Sequence, residues 1–201
     1  MGTRMDELVL ASRNAKKAIE MQRILGEAGL RIRVRSVGEF ADVPEVAETG
    51  ATFEANALLK ARAVCAATGY AAVADDSGIC VDELNGMPGI LSARWAGRHG
   101  DDEANLQLLL GQLADTPDER LNAHFTCVIA LVRPDGSERV VQGEMHGHLV
   151  REPRGANGFG YDPIFVPDGF SQTSAELTAE QKDAISHRGK ALRALVPLLD
   201  D

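Results

Sequence analysis

The sequence predicts a mixed α/β fold, a central sheet flanked by helices, built as a single domain over residues 1–201. Three observations predict it. Residues 7–11, apolar after Glu7, pass through a polar turn into a helical pattern, and residues 71–74 follow a second helical pattern as a run apolar enough to be buried. Residues 123–132 and 139–150 are long extended stretches separated by a turn sequence, which adds a hairpin to the strand–helix alternation and makes the architecture mixed.

In chain order, residues 7–11 read as a strand, and Asn14 caps a helix running to about Ala28, where Gly29 supplies a stop. Residues 31–35 alternate arginine with apolar residues at period two, a strand whose solvated face is Arg31, Arg33 and Arg35. Thr52 opens a second helix in which Phe53, Ala57, Leu58, Ala61, Val64 and Cys65 keep helical spacing until Gly69, with Asn56 and Lys60 sharing a face. Residues 71–74 then run into Asp75 and Asp76, so both carboxylates are expected at a strand end, where open α/β sheets place their chemistry. Asp101 and Asp102 begin a third helix to about Leu113. Pro134-Asp135-Gly136-Ser137 turns the hairpin, residues 164–166 are a last short strand, and residues 178–185 and 187–199 are closing helices with Ser186 as a cap between them.

Composition bounds the function. At 201 residues, 44% hydrophobic and 25% charged, the chain can bury a sizeable core, and no linker, repeat or low-complexity segment divides it. Apolar runs such as residues 128–132 fall far short of the ~20 residues that cross a bilayer, and residues 1–10 carry Asp6 and Glu7 where a secretory leader needs an apolar stretch. A cytoplasmic protein with no membrane partner is expected. The net charge of −9 argues against gripping a nucleic-acid polymer, which needs a dense basic surface, whereas a single nucleotide needs only a local basic pocket. Cys65, Cys80 and Cys127 lie far apart in apolar surroundings and read as core residues.

Four separated segments are rich in the groups that hold a nucleotide, and the first three suit phosphate and a metal. Ser12, Arg13, Asn14, Ala15, Lys16 and Lys17 form a strand-to-helix turn, where backbone N–H groups and the helix dipole favour phosphate and Lys17 adds a point charge. Asp75 and Asp76 adjoin Ser77 and Gly78, and two adjacent carboxylates repel unless a cation or a lysine sits between them. Glu48, before Gly50, could complete the oxygen shell that Mg²⁺ prefers, with Glu45 an alternative at similar reach; Lys60 is placed to neutralise charge developing on phosphate oxygens.

The remaining two clusters suit a base. In residues 158–163, glycines permit close backbone approach, and Phe159 and Tyr161 can flank a flat ring, a concentration in a chain with only one Trp, two Tyr and six Phe. Asp162 could orient a donor or fix that loop. Ser186, His187 and Arg188 offer donors that fit the O6 keto oxygen of hypoxanthine or xanthine, bonds that adenine's amino group cannot accept. His99, His124, His146 and His148 show no partner pattern and read as ordinary surface or core residues.

Five motifs in order, Ser-x-Asn-x-x-Lys at 12–17, Glu-Thr-Gly-x-Thr-Phe-x-x-Asn-Ala-x-x-Lys-Ala at 48–61, Ala-Asp-Asp-Ser-Gly at 74–78, Gly-Phe-Gly-Tyr-Asp-Pro at 158–163 and Ser-His-Arg-Gly at 186–189, carry a resemblance over nearly the whole chain. The chain resembles the inosine triphosphate pyrophosphatase family, the bacterial non-canonical purine nucleotide pyrophosphatases. The resemblance implies an elongated sheet, two lobes enclosing a substrate cleft, a homodimer, and Mg²⁺-dependent hydrolysis of ITP, dITP or XTP to the monophosphate and pyrophosphate, which removes deaminated purines from the nucleotide pool. It implies Asp76 as metal ligand and activator of water, Asp75 as a helper acid and Ser77 as a substrate contact; beside these, Glu48 is the candidate second ligand, with Glu45 the alternative, Lys60 a further candidate catalytic group, and the Ser12–Lys17 turn, Asn56, Phe159, Gly160, Tyr161, Asp162, Lys182, His187 and Arg188 candidate substrate contacts. Arg13 stands where the family usually has glycine. Two other readings stay open: a Maf-like nucleotide pyrophosphatase of related fold, from which the Ser-His-Arg segment discriminates, and a non-catalytic nucleotide-binding module, which would not need Lys17, Glu48, Lys60, Asp75 and Asp76 together.

Overall fold

The computed structural model describes residues 5–199, so residues 1–4 of the segment read above for a leader lie outside the described residues. The fold is mixed α/β. Six strands form one sheet in the order β2-β1-β3-β4-β5-β6, with β1 Glu7–Leu10, β2 Arg33–Ser36, β3 Ala72–Val81, β4 Asn122–Val132, β5 Glu138–Leu149 and β6 Phe165–Pro167. The helices are α1 Ala15–Glu27, α2 Phe53–Thr68, α3 Asp102–Gln112, α4 Ala179–Ile185 and α5 His187–Leu195. No helix among the described residues is long and apolar enough to cross a membrane.

The chain forms two compact units. The first comprises residues 1–76, 128–143 and 190–201, the second residues 77–127 and 144–189, and β3, β4 and β5 each contribute residues to both.

In the first unit β1 pairs in parallel with β2 and with the start of β3, the outcome expected when helices cover the connections between strands. Asn14 caps α1, its side chain accepting from Lys16 N, and Thr52 caps α2 by accepting from Ala55 N. Gly69 closes α2 in the left-handed region at φ 73°, which a side chain would resist. Val9, Ala57, Ala61, Val64, Ala72, Ala74, Val128 and Ala130 pack as one core, small residues that let the helix lie close on the sheet. Arg31 and Arg33 are exposed as expected, but Arg35 is not part of a solvated face. It pairs with Glu7 and Glu39 and lies 4.3 Å above the Phe40 ring, because burial of its stem recovers apolar contact while its head stays ion-paired.

In the second unit, the later part of β5 pairs antiparallel with β6, Leu149 opposite Phe165. Ile79, Leu106, Leu109, Leu113, Phe125, Met145, Tyr161, Ile164 and Phe165 build the core under α3. Asp101 caps α3, and Thr178 and Gln181 form a capping box on α4. Ser186 Oγ accepts from Gly189 N at 3.0 Å, so the predicted cap between the last two helices is present. All three cysteines are free and buried.

One element differs from its sequence reading in a way that matters. β3 does not stop at Ala74 but runs through Asp75, Asp76 and Ser77 to Val81, placing the two carboxylates in the middle of a strand. The sequence Asp-Asp-Ser-Gly has turn chemistry, but pairing of its acids with Lys17, Lys60 and Asn56 stabilises the extended backbone, and the buried Ile79-Cys80-Val81 continues it.

Candidate active site

In the first unit the acidic and basic candidates converge on β3. Lys17, in the first turn of α1, donates to Asp75 Oδ2 at 2.6 Å. Lys60, on α2, donates to Glu48 Oε1 at 2.7 Å and to the Asp75 carbonyl at 2.6 Å, and its ammonium lies 3.8 Å from Asp76 Oδ1. With its side chain only 18% exposed, Lys60 is not an ordinary helical surface lysine. Three carboxylates of one sign thus share two ammonium groups, which offsets the repulsion that adjacent Asp75 and Asp76 would otherwise suffer.

Asn56 orients Asp76. Its Oδ1 accepts from Gly50 N at 2.8 Å and its Nδ2 donates to Asp76 Oδ2 at 3.0 Å, so the amide has one orientation that satisfies both neighbours. Residue 50 must be glycine, since a Cβ there would stand 2.7 Å from Asn56 Oδ1 and from the Ala55 Cβ. Asn56, a candidate substrate contact, is 0% exposed, and both ends of its amide bond the protein's own groups.

The turn that opens α1 places its residues differently from one another. Ser12 Oγ accepts from Asn14 N at 3.2 Å, and Asn14 Oδ1 accepts from Lys16 N at 3.0 Å, so two of the amides expected to face phosphate make internal bonds. Arg13 reaches the Val43 carbonyl at 3.4 Å, while Ala15 and Lys16 are exposed. Glu45 is exposed and Glu48 half-buried. Among the described residues, no group of three or more His, Cys, Asp or Glu is arranged to hold a metal.

In the second unit, the turn at residues 158–162 carries Phe159, a residue 78% exposed. Asp162 is buried beneath it, its Oδ2 accepting from Phe159 N at 2.9 Å and from Lys182 Nζ at 2.5 Å. The Lys182 ammonium lies 5.6 Å from the Phe159 ring centroid. Gly158, at φ 76°, has no room for a Cβ, which would meet Asp162 Oδ2 at 2.2 Å.

Tyr161, a candidate base contact, is buried in the core with its hydroxyl donating to the Ser92 carbonyl at 2.8 Å; burial, with a smaller push from Asp102, holds its pKa well above the usual tyrosine range. His187 and Arg188 are half-buried at the start of α5, and the His187 imidazole stacks on Phe125 at 5.0 Å and 16°. Ser77 is exposed.

Sequence reasoning missed three placements. Ser92 is buried and bonded to Ile79 N and the Gly89 carbonyl, and Asp102 accepts from Gly160 N at 3.0 Å across 58 residues; neither has a local signal. His124 and His146, read as lacking a partner pattern, stack at 5.1 Å, a contact that only strand pairing creates, and His146 Nε2 lies 2.9 Å from Glu144, two residues away on the same strand.

Residues 8–198 match the Ham1 family. A dITP/XTP pyrophosphatase of Streptomyces coelicolor is 60% identical over 195 residues, covering 97% of this chain and 98% of that one. A crystal structure described as a nucleoside-triphosphatase, dITP/XTP pyrophosphatase, from Mycobacterium abscessus is 57% identical with a TM-score of 0.83, covering 96% of this chain and 99% of that one. A HAM1 protein structure from Coxiella burnetii is 44% identical with a TM-score of 0.90, covering 97% and 98%.

Proposed function

The chain belongs to the Ham1 family, and from that premise we propose that it hydrolyses nucleoside triphosphates bearing deaminated purines, dITP and XTP among them, to the monophosphate and pyrophosphate. The observation that carries the reading is the Lys60 ammonium set among Glu48, the Asp75 carbonyl and Asp76. A fixed cation ringed by carboxylate oxygen is an incomplete charge cluster, and a phosphate chain accompanied by a divalent cation completes it.

The donor set fits Mg²⁺. It is all oxygen, and Mg²⁺ is commonly held through one or two carboxylates with waters and phosphate oxygens filling its other positions, so a three-ligand protein cluster is not required. Glu48 and Asp76 are the residues proposed to hold it. When bound, the ion neutralises phosphate charge and orients the chain for attack.

The residues of this chain then have separable tasks. Asp76, held by Asn56 at one carboxylate oxygen, accepts the proton of the attacking water; the water oxygen bonds to phosphorus and the α–β bridging P–O bond breaks. Lys60 and Lys17 offset the negative charge that shifts onto phosphate and leaving oxygens, and Asp75 holds Lys17 in place. Ser12, Asn14 and Lys16 shape and charge the turn offered to phosphate. Phe159, exposed on its loop, supplies a stacking face for the base, and His187 and Arg188 supply donors to its O6 oxygen. A homodimer and a cytoplasmic location, which the resemblance and the composition support, complete the proposal; sedimentation of the pure protein tests the first.

The deciding experiment incubates the protein with Mg²⁺ and a panel of purine and pyrimidine triphosphates. Monophosphate with pyrophosphate, formed fastest from ITP, dITP and XTP, is the expected result. Orthophosphate as the first product, or equal turnover of ATP, overturns the reading.

A further inference from the structure

We infer that Asp102 is a positioning residue for the purine end of the substrate, holding the turn that presents the Phe159 ring. The inference rests on the proposed reading of Phe159 as a stacking surface.

An aromatic residue left 78% exposed forgoes the stabilisation of burial, and here the backbone beneath it is fastened at successive residues. Phe159 N is bound by Asp162 Oδ2 at 2.9 Å, Gly160 N by Asp102 Oδ2 at 3.0 Å, and the next residue, Tyr161, is fixed by its hydroxyl on the Ser92 carbonyl at 2.8 Å. Two consecutive amides thus each donate to a carboxylate, and charge-assisted bonds of this kind are stronger than neutral ones. Asp162 comes from the turn itself, and Tyr161 sits in the core, so both would hold the local shape alone. Asp102 differs in origin. It belongs to the first turn of α3, capped by Asp101 and packed through Leu106 and Leu109 on the core of the same unit, and it ties the glycine adjacent to Phe159 to that rigid element. Gly160 lies at φ 60° with nothing near its absent Cβ, so no packing of its own fixes it. Its bond to Asp102 supplies that restraint, and the Phe159 ring is thereby pre-set instead of being ordered when a base arrives.

The test compares wild type, Asp102→Ala and Asp102→Asn, with thermal melting to confirm folding; Asp102→Ser, a polar residue too short to reach Gly160, replaces alanine if that variant does not fold. Each is measured for kcat and KM on ITP, for binding of inosine monophosphate, and for inhibition by inorganic tripolyphosphate, which carries phosphate groups and no base. The expected result is about a tenfold rise in KM for ITP and an equal weakening of inosine monophosphate in Asp102→Ala, with kcat and tripolyphosphate inhibition within about twofold of wild type. Asp102→Asn, whose amide oxygen still accepts from Gly160 N, restores both. Equal weakening of tripolyphosphate would reduce Asp102 to a general structural role, and unchanged inosine monophosphate binding would remove it from the site. Failure of wild type to hydrolyse ITP at all is a separate result, which overturns the proposed function itself and this inference with it.

Discussion

The Lys17 ammonium sits 2.6 Å from Asp75 Oδ2, joining the first turn of α1 to the middle of β3. The Asp75 side chain is 5% exposed and the Lys17 side chain 33%, so the pair is buried on its acidic side only. Its attraction is correspondingly stronger than that of a surface pair, and its two partners are not equivalent: water can solvate the lysine but hardly reaches the carboxylate.

Removing the lysine therefore costs stability as well as charge. Lys17→Met is expected to lower the unfolding free energy by roughly 1–3 kcal/mol, below the value for fully buried pairs because Lys17 keeps part of its surface in water. Urea unfolding of Lys17→Met, Asp75→Asn and the double variant measures it. The double variant should lose less than the two singles combined, and strict additivity would show that the pair is not coupled.

Asp76→Asn separates chemistry from folding. The Asn56 amide donates to Asp76 Oδ2, a bond that the oxygen of an asparagine can still accept, so the strand and its melting temperature should change little. Turnover of ITP should fall by about 10²-fold or more, because the variant can neither accept the water proton nor offer a full charge to a divalent cation. A folded variant with near-normal kcat would move the chemistry to another residue.

Tyr161 gives a prediction in pH. Its folded pKa is raised above the ordinary value near 10 by burial and then by Asp102, so above that value the unfolded chain loses a proton that the folded chain retains. The sign follows directly: the contribution is complete below the unfolded pKa and is lost as pH rises past it. Stability measured from about pH 8 to about pH 11 should fall, and Tyr161→Phe should flatten that fall while costing roughly 1–3 kcal/mol through the Ser92 carbonyl it leaves without its donor. Preference for ITP over ATP should be unchanged, since the ring lies in the core.

Much of this arrangement was legible in the sequence, for reasons that are local. Asn14, Thr52, Asp101 and Thr178 cap helices through bonds to residues two or three positions on, so spacing alone reveals them. Lys60 and Asn56 share a helix face, which fixed their common destination at β3. The extension of β3 through Asp75–Ser77 was not legible, because a segment of turn-forming residues is held straight by partners 15 to 58 residues away. The fates of Phe159 and Tyr161 were hidden for a related reason: two similar residues in a glycine-rich turn go one to the surface and one to the core, and only the packing around Ser92 decides which. Asp102 was visible as a helix start, yet its bond to Gly160 depends on the tertiary fold.

Base choice supplies the last prediction. A donor to O6 is used by hypoxanthine and xanthine but not by adenine, whose amino group occupies that place and cannot accept the bond. Arg188, half-buried at the start of α5 beside an imidazole held flat against Phe125, is the proposed donor with the longest reach. Arg188→Ala should then lower kcat/KM for ITP by about 10- to 100-fold, the worth of one buried bond to a charged group, and lower it far less for ATP. Measuring both substrates on wild type and variant decides the matter, because equal proportional losses would assign the guanidinium to phosphate binding or to structure and leave O6 recognition to His187 and the backbone.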